Sequence, residues 1–274
     1  MLPYIAAGFG LGLLLYPWLS PAQGILSLSQ EMARQFVLLG ITLFIAANVK
    51  GALALKRIPI WLPACIAALA ALLVRSTVLA GLPFVPGDED EYLFQARIFA
   101  RGHVTAPAPP HAERFWAPGI LIHGARWFGH HQPGHSLLLA AGVVLGIPGI
   151  IPAVSTGLTV LLLSMTARRL AGPDAGALTA LLAMTSPMLL LTGATLVSET
   201  TSLLAVAAIF WLAVAEPFGR RSLLLAGLMV GWLLNVRLMT GISAGLATMV
   251  LLGARFRFLL PGIGVGIAGM MAHN

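Results

Sequence analysis

Four acids stand in a row at Asp88-Glu89-Asp90-Glu91, with Tyr92 next to them. Carboxylates this close repel one another, which raises the pKa of at least one. A carboxylate held nearer neutrality is a better general base. Asp88 and Glu89 are therefore the first catalytic candidates, and Tyr92 offers a hydroxyl for binding beside them. The same acids suit the start of a helix, where negative charge meets the positive end of the helix dipole. The two roles are compatible. Further on, Gly129-His130-His131-Gln132-Pro133-Gly134-His135 gathers three histidines in a polar stretch flanked by aromatic residues. His130, His131 and His135 could donate hydrogen bonds to a phosphate or pack at a membrane interface. Neighbouring His130 and His131 rarely ligate one ion together, and there is no compact HxxxH pattern, so a divalent metal is not expected. The single cysteine, Cys65, excludes an intrachain disulfide and a CxxC site. Glu199 and Arg237 complete the set, each between apolar runs. An ionisable group near membrane depth is costly and usually functional. An arginine there could hold phosphate oxygens in bidentate fashion or snorkel to a lipid headgroup.

The elements that position these residues follow from composition. Of 274 residues, 58% are hydrophobic and only 9% charged, with a mean hydropathy of +0.93. Soluble domains carry about 25% charged residues. The chain reads as an all-α, polytopic integral membrane protein. Its apolar runs match helices that span a bilayer, roughly 17–25 residues, and not the short alternating strands of a barrel. Residues 1–82 hold three runs, at 2–19, 35–55 and 60–82. The first lacks a basic n-region and reads as a membrane segment, not a cleavable signal. Residues 83–135 form a polar loop with five of the nine acids and six of the seven histidines. Pro107, Pro109 and Pro110 break any continuous helix there. Phe115, Trp116, Trp127 and Phe128 argue for order, as short helices on the membrane surface. Residues 136–274 hold further runs at 136–147, 149–167, 175–197, 200–215, 222–236, 238–254 and 258–272.

The net charge of +7 is explained by basic residues in short loops that orient the helices, which leaves no role for nucleic acid. Lys56-Arg57, Arg168-Arg169, Arg220-Arg221 and Arg255/Arg257 form four basic clusters. With all four in the cytoplasm, the loop, Glu199 and Arg237 face the other side, provided 136–147 enters the membrane without crossing it. The acids at 88–91, Glu199 and Arg237 could then share one cavity.

The order of these features resembles the polyprenyl-phosphate-sugar-dependent glycosyltransferases of the GT-C superfamily. The similar branch is glycosyltransferase family 39, the dolichyl-phosphate-mannose–protein mannosyltransferase and aminoarabinose-transferase group. The resemblance rests on Asp88-Glu89-Asp90-Glu91-Tyr92 opening the first large loop, and on Gln132-Pro133-Gly134-His135 closing it. It continues through Ala167-Arg168-Arg169-Leu170, then Thr185-Ser186-Pro187-Met188, then Val197-Ser198-Glu199. It covers roughly residues 85–240.

The resemblance implies a GT-C-like helical bundle with a long external loop, in a bacterial inner membrane, its active site facing the periplasm. The donor would be a polyprenyl-phosphate sugar. The acceptor would be a hydroxyl on a glycan, lipid or protein, attacked with inversion. Asp88 falls on the family's catalytic base or acceptor-orienting acid, and Glu199 on its second acidic position. The family has a basic residue and two prolines before the re-entry segment. This chain reads His130-His131-Gln132-Pro133 there, so His130, His131 or Arg237 would take over the lysine–phosphate contact. Family members are longer, which implies a chain truncated at its C-terminus. The competing readings are a transporter or permease and a non-catalytic truncated relative.

Overall fold

The computed structural model describes residues 59–273, apart from 81, 82, 84, 86, 116 and 215–218. The expected spans at 2–19 and 35–55, with Lys56-Arg57, lie outside the described residues. Helix α1 covers Trp61–Thr77 and α2 covers Asp88–Ala100. All four consecutive acids occupy the first turn of α2, where the helix dipole favours them. Three short strands follow: β1 at Ala106–Pro107, β2 at Ile120–His123 and β3 at Arg126–Gly129. Then come α3 at Pro133–Val144, α4 at Ile150–Ala171, α5 at Pro173–Met184, α6 at Pro187–Ala194 and α7 at Glu199–Val214. Helices α8 at Arg220–Leu234, α9 at Leu238–Leu252 and α10 at Leu260–His273 complete the order, with a 3-10 turn over Gly253–Phe258.

The loop differs from the expectation of short helices alone. It contains α2, a single 3-10 turn at Ala112–Arg114 and an antiparallel sheet of order β1-β3-β2. Ile120–His123 alternates in burial along its length, the period of a half-buried strand. Gly124, with φ of +59°, opens the two-residue turn into β3, and Ile122 pairs with Trp127. Left-handed φ at such a turn suits glycine.

The apolar run 175–197 also differs: it forms two helices, not one. Pro187 has no N–H and clashes with a continuing helix. The chain therefore stops at Met184 and restarts as α6, bent by 56°. Ser186 caps the new start by accepting from the Leu189 N–H at 3.4 Å. Among the described residues, two helical stretches are long and apolar enough to cross a membrane, Ile150–Ala171 and Leu238–Phe258. The bent α5–α6 pair would make a third. Helix α3, at 12 residues, is short of the roughly 20 that a span needs, and so are α1, α7 and α8, at 17, 16 and 15 residues.

Small residues bring the helix backbones together, as in membrane bundles generally. A Cβ on Gly157 of α4 would sit 2.8 Å from the Ala64 carbonyl of α1, and one on Gly231 of α8 would sit 2.8 Å from the Gly262 carbonyl of α10. Helix α4 packs against α1, α5 and α7, and α8 packs against α7, α9 and α10. Paired arginines sit at the helix ends. Arg168 and Arg169 close α4, Arg220 and Arg221 open α8, and Arg255 and Arg257 follow α9. Arg220 and Arg257 both stack on Phe258, at 5.5 and 5.1 Å from its ring centre. The start of α7 and the α8–α9 turn, which carry Glu199 and Arg237, lie at the opposite helix ends.

Candidate functional site

Helix α2 distributes its acids by helical spacing, in which residues four apart share a face. Asp88 and Tyr92 form one such pair, and both line a cavity of about 480 Å³. Its other walls include His131, Gln132, Ser198, Glu199, Val236, Arg237 and Thr240. Five sequence-predicted residues, Asp88, Tyr92, His131, Glu199 and Arg237, thus meet around one space. They come from α2, the loop before α3, the start of α7 and the α8–α9 turn.

Asp88 is exposed to this space, whereas Tyr92 is buried beneath it. The Tyr92 hydroxyl donates to Ser198 Oγ at 3.0 Å. Burial pushes the Tyr92 pKa up, and the Ser198 hydrogen bond only partly opposes that. Its ring packs between His131 and His135, with centroids 4.6 and 4.8 Å away. Arg237 Nη1 donates to Glu199 Oε1 at 2.9 Å, with both side chains roughly half exposed. The second oxygen, Glu199 Oε2, is buried without a hydrogen-bond partner. A buried carboxylate oxygen left without a partner is costly, and Glu199 is one of the residues that line the cavity.

Glu89 stands elsewhere. It is 2% exposed and accepts from Arg75 Nη1 at 3.1 Å, the Val85 N–H at 3.0 Å and the Leu196 N–H at 2.9 Å. It does not line the cavity; it clamps α1, the start of α2 and the irregular 195–198 segment together. Arg75 adds a bond to the Ala194 carbonyl at 3.1 Å. Glu91 is also buried, on a third face. Its Oε1 accepts from the His131 N–H at 2.6 Å, and its Oε2 lies 2.8 Å from His130 Nδ1 and 2.6 Å from His131 Nδ1. Burial pushes the Glu91 carboxyl up, but the hydrogen bonds and charge of His131, with His130, outweigh that and lower its pKa. Repulsion within the acid run does not govern this member of it. The Glu91 carboxylate in turn raises the His131 pKa against the effect of burial.

His135 is fully buried. Its Nε2 meets the Leu196 carbonyl at 2.7 Å and its Nδ1 meets Thr201 Oγ1 at 2.9 Å. Burial lowers its pKa to about 4, so the ring is neutral, donating through Nε2 and accepting through Nδ1. His135 fixes the first turn of α3 to the chain before α7. His130 lies on a neighbouring cavity, also about 480 Å³, with His123, Arg126 and, shared with the first, His131 and Gln132.

Four further residues hold the site without having been singled out in the sequence. Gln95, four residues after Glu91, accepts from the Gly129 N–H and donates to the Val104 carbonyl, both at 2.9 Å. Arg75, Ser198 and Thr201 are the others. Arg75 carried a signal, since a lone arginine in the apolar run 60–82 requires a partner. Comparison with protein-family models, with curated proteins and with solved structures finds no match for this chain.

Proposed function

We propose that this chain is a polytopic membrane glycosyltransferase that moves a sugar from a polyprenyl phosphate to an acceptor hydroxyl on the non-cytoplasmic side. The observation that carries the reading is the convergence of Asp88, Glu199, His131 and Arg237 on one cavity at the helix ends opposite the arginine clusters. In the bacterial inner membrane, the positive-inside rule turns this end toward the periplasm.

The chemistry suits the residues. A lipid phosphate leaves readily, so the step needs a base more than an acid. Asp88 is exposed to the cavity and would take the proton of the acceptor hydroxyl as its oxygen attacks the anomeric carbon. The carbon–oxygen bond to the phosphate breaks on the opposite face, and the phosphate leaves with the electron pair, inverting the centre. Arg237, seconded by His131, would hold the phosphate oxygens as charge develops there. The Glu199 carboxylate, which lines the same cavity, would accept a hydrogen bond from the sugar or acceptor. A separate apolar groove of about 690 Å³ is lined by Pro133, Gly134, Leu137, Trp232, Asn235 and Val265, among others. Pro133 and Asn235 are chain neighbours of the cavity residues Gln132 and Val236. That apolar wall suits the isoprenoid tail.

The test is binding of a polyprenyl-phosphate sugar to the detergent-purified chain. Saturable binding that weakens at least tenfold in Arg237→Ala is expected. A folded wild-type chain that binds no such lipid would overturn the reading and favour a non-catalytic relative.

A further inference from the structure

We propose that Glu91, His130 and His131 form a zinc site that fastens α2 to the entry of α3. This inference does not depend on the transferase reading. The three residues come from two separate segments, and one donor atom from each lies within 4.8 Å of the other two. Two imidazoles and one carboxylate are a donor set that zinc accepts, with a fourth position left for water.

Adjacent histidines alone make a poor chelate. Here a third donor, from α2, sits between their Nδ1 atoms. Glu91 Oε2 lies 2.8 Å from one and 2.6 Å from the other. The His131 Nδ1 atom is buried, and its 2.6 Å approach to Glu91 Oε2 is short but poorly directed for a hydrogen bond. Among the described residues His130 Nδ1 has the Gly119 carbonyl, at 3.2 Å, as its alternative acceptor. A tetrahedral zinc, with ligands about 2.0–2.2 Å away, needs its donor atoms roughly 3.3 Å apart. That spacing is about 0.5–0.7 Å wider than the present contacts of Oε2 with the two Nδ1 atoms, so the ion would part them by that much.

The surroundings hold the carboxylate in place for such a role. The His131 N–H bonds Oε1 and leaves Oε2 for the ion, the kind of outer support that orients metal ligands. Gly119 and Gly129 pass close beside the carboxylate. A Cβ on Gly119 would overlap Oε2, and one on Gly129 would lie 3.0 Å from Oε1. Water for the fourth position comes from the adjoining cavity, onto which both histidines open. Ligation through Nδ1 leaves Nε2 of His131 as an N–H donor, so the ion does not displace the ring from the substrate cavity. The clamp would fix the register of Asp88, one turn before Glu91.

The experiment loads the full purified chain with zinc, removes the excess and measures bound metal per chain. A chelator-dye competition then gives the affinity. Cobalt substitution adds a readout independent of activity, the visible bands of a tetrahedral ion. One equivalent is expected, with affinity at least tenfold weaker in Glu91→Gln and in His130→Ala, and unchanged in His123→Ala, which borders the same cavity outside the donor set. His130 is half exposed, so its variant tests the site even where Glu91→Gln fails to fold. No stoichiometric zinc in the folded wild type, or binding indifferent to His130→Ala, would overturn the site and leave a Glu–His ion pair.

Discussion

Replacing Glu89 by glutamine separates two roles that adjacent acids could play. From the described residues the carboxylate accepts three hydrogen bonds on two oxygens, Arg75 Nη1 and the Leu196 N–H on Oε2 and the Val85 N–H on Oε1. An amide has only one acceptor oxygen, so one of these sides meets an NH2 group instead. An unmade bond of this kind at a buried position costs about 1–3 kcal/mol. The remaining bonds lose their charge assistance, about 1 kcal/mol each. Arg75 loses its countercharge, but it is 24% exposed and keeps the Ala194 carbonyl, which limits that part. The total is about 3–5 kcal/mol, near the cost of breaking a buried pair, and on the order of 10 °C in Tm. Asp88→Asn removes only an exposed charge in the same helix turn, worth about 0.3–1 kcal/mol through the helix dipole. The assay is unfolding in mixed micelles with increasing SDS, followed by tryptophan fluorescence, for both variants and the wild type. Glu89→Gln within about 1 kcal/mol of wild type, or no less stable than Asp88→Asn, would refute the clamp.

His135 makes stability depend on pH. Its folded pKa is about 4 against about 6.5 unfolded. Below the unfolded value the open chain takes up a proton that the fold refuses, so stability falls as pH drops from about 6.5 to 4 and then levels. At about 1.4 kcal/mol per unit the full loss is roughly 3 kcal/mol. His135→Gln, which keeps a donor for the Leu196 carbonyl, is expected to flatten that interval relative to wild type in pH-dependent melts. An unchanged slope would show that the ring does not remain buried and neutral. Gly134→Ala is expected to lose about 1–3 kcal/mol by overpacking, since its Cβ would lie 2.7 Å from the Asn235 carbonyl oxygen, a backbone atom that cannot rotate away. Gly264→Ala in α10 meets nothing within 4 Å and is expected to gain up to about 1 kcal/mol from helix propensity. A Gly134 variant as stable as wild type would mean that α3 does not seat against the α8–α9 turn as described.

The limits of the sequence reading lie in particular residues. The long apolar runs that became α4, α7, α8 and α9 were legible as helices because an apolar run of that length is a strong signal, although α7 and α8, at 16 and 15 residues, are shorter than a full span. The break at Pro187 was read through, since the run stays apolar on both sides of it. The small sheet was missed because two four-residue strands carry too little alternation to stand out beside aromatics and prolines. The acids were legible as a group and not as individuals. Once α2 is known to begin at Asp88, the i, i+4 rule separates them: Asp88 goes with Tyr92 and Glu91 with Gln95, while Glu89 turns toward Arg75. The third metal donor was invisible for the same reason, since Glu91 lies far in sequence from His130 and His131.

The most direct test of the central claim is turnover. The purified chain is incubated with a radiolabelled polyprenyl-phosphate sugar and membrane acceptors, and release of free polyprenyl phosphate is followed beside Asp88→Asn. The proposed function requires release by the wild type that falls at least a hundredfold in Asp88→Asn, with lipid binding retained. Equal release by the two proteins, or none by a wild type that binds the lipid, would contradict it.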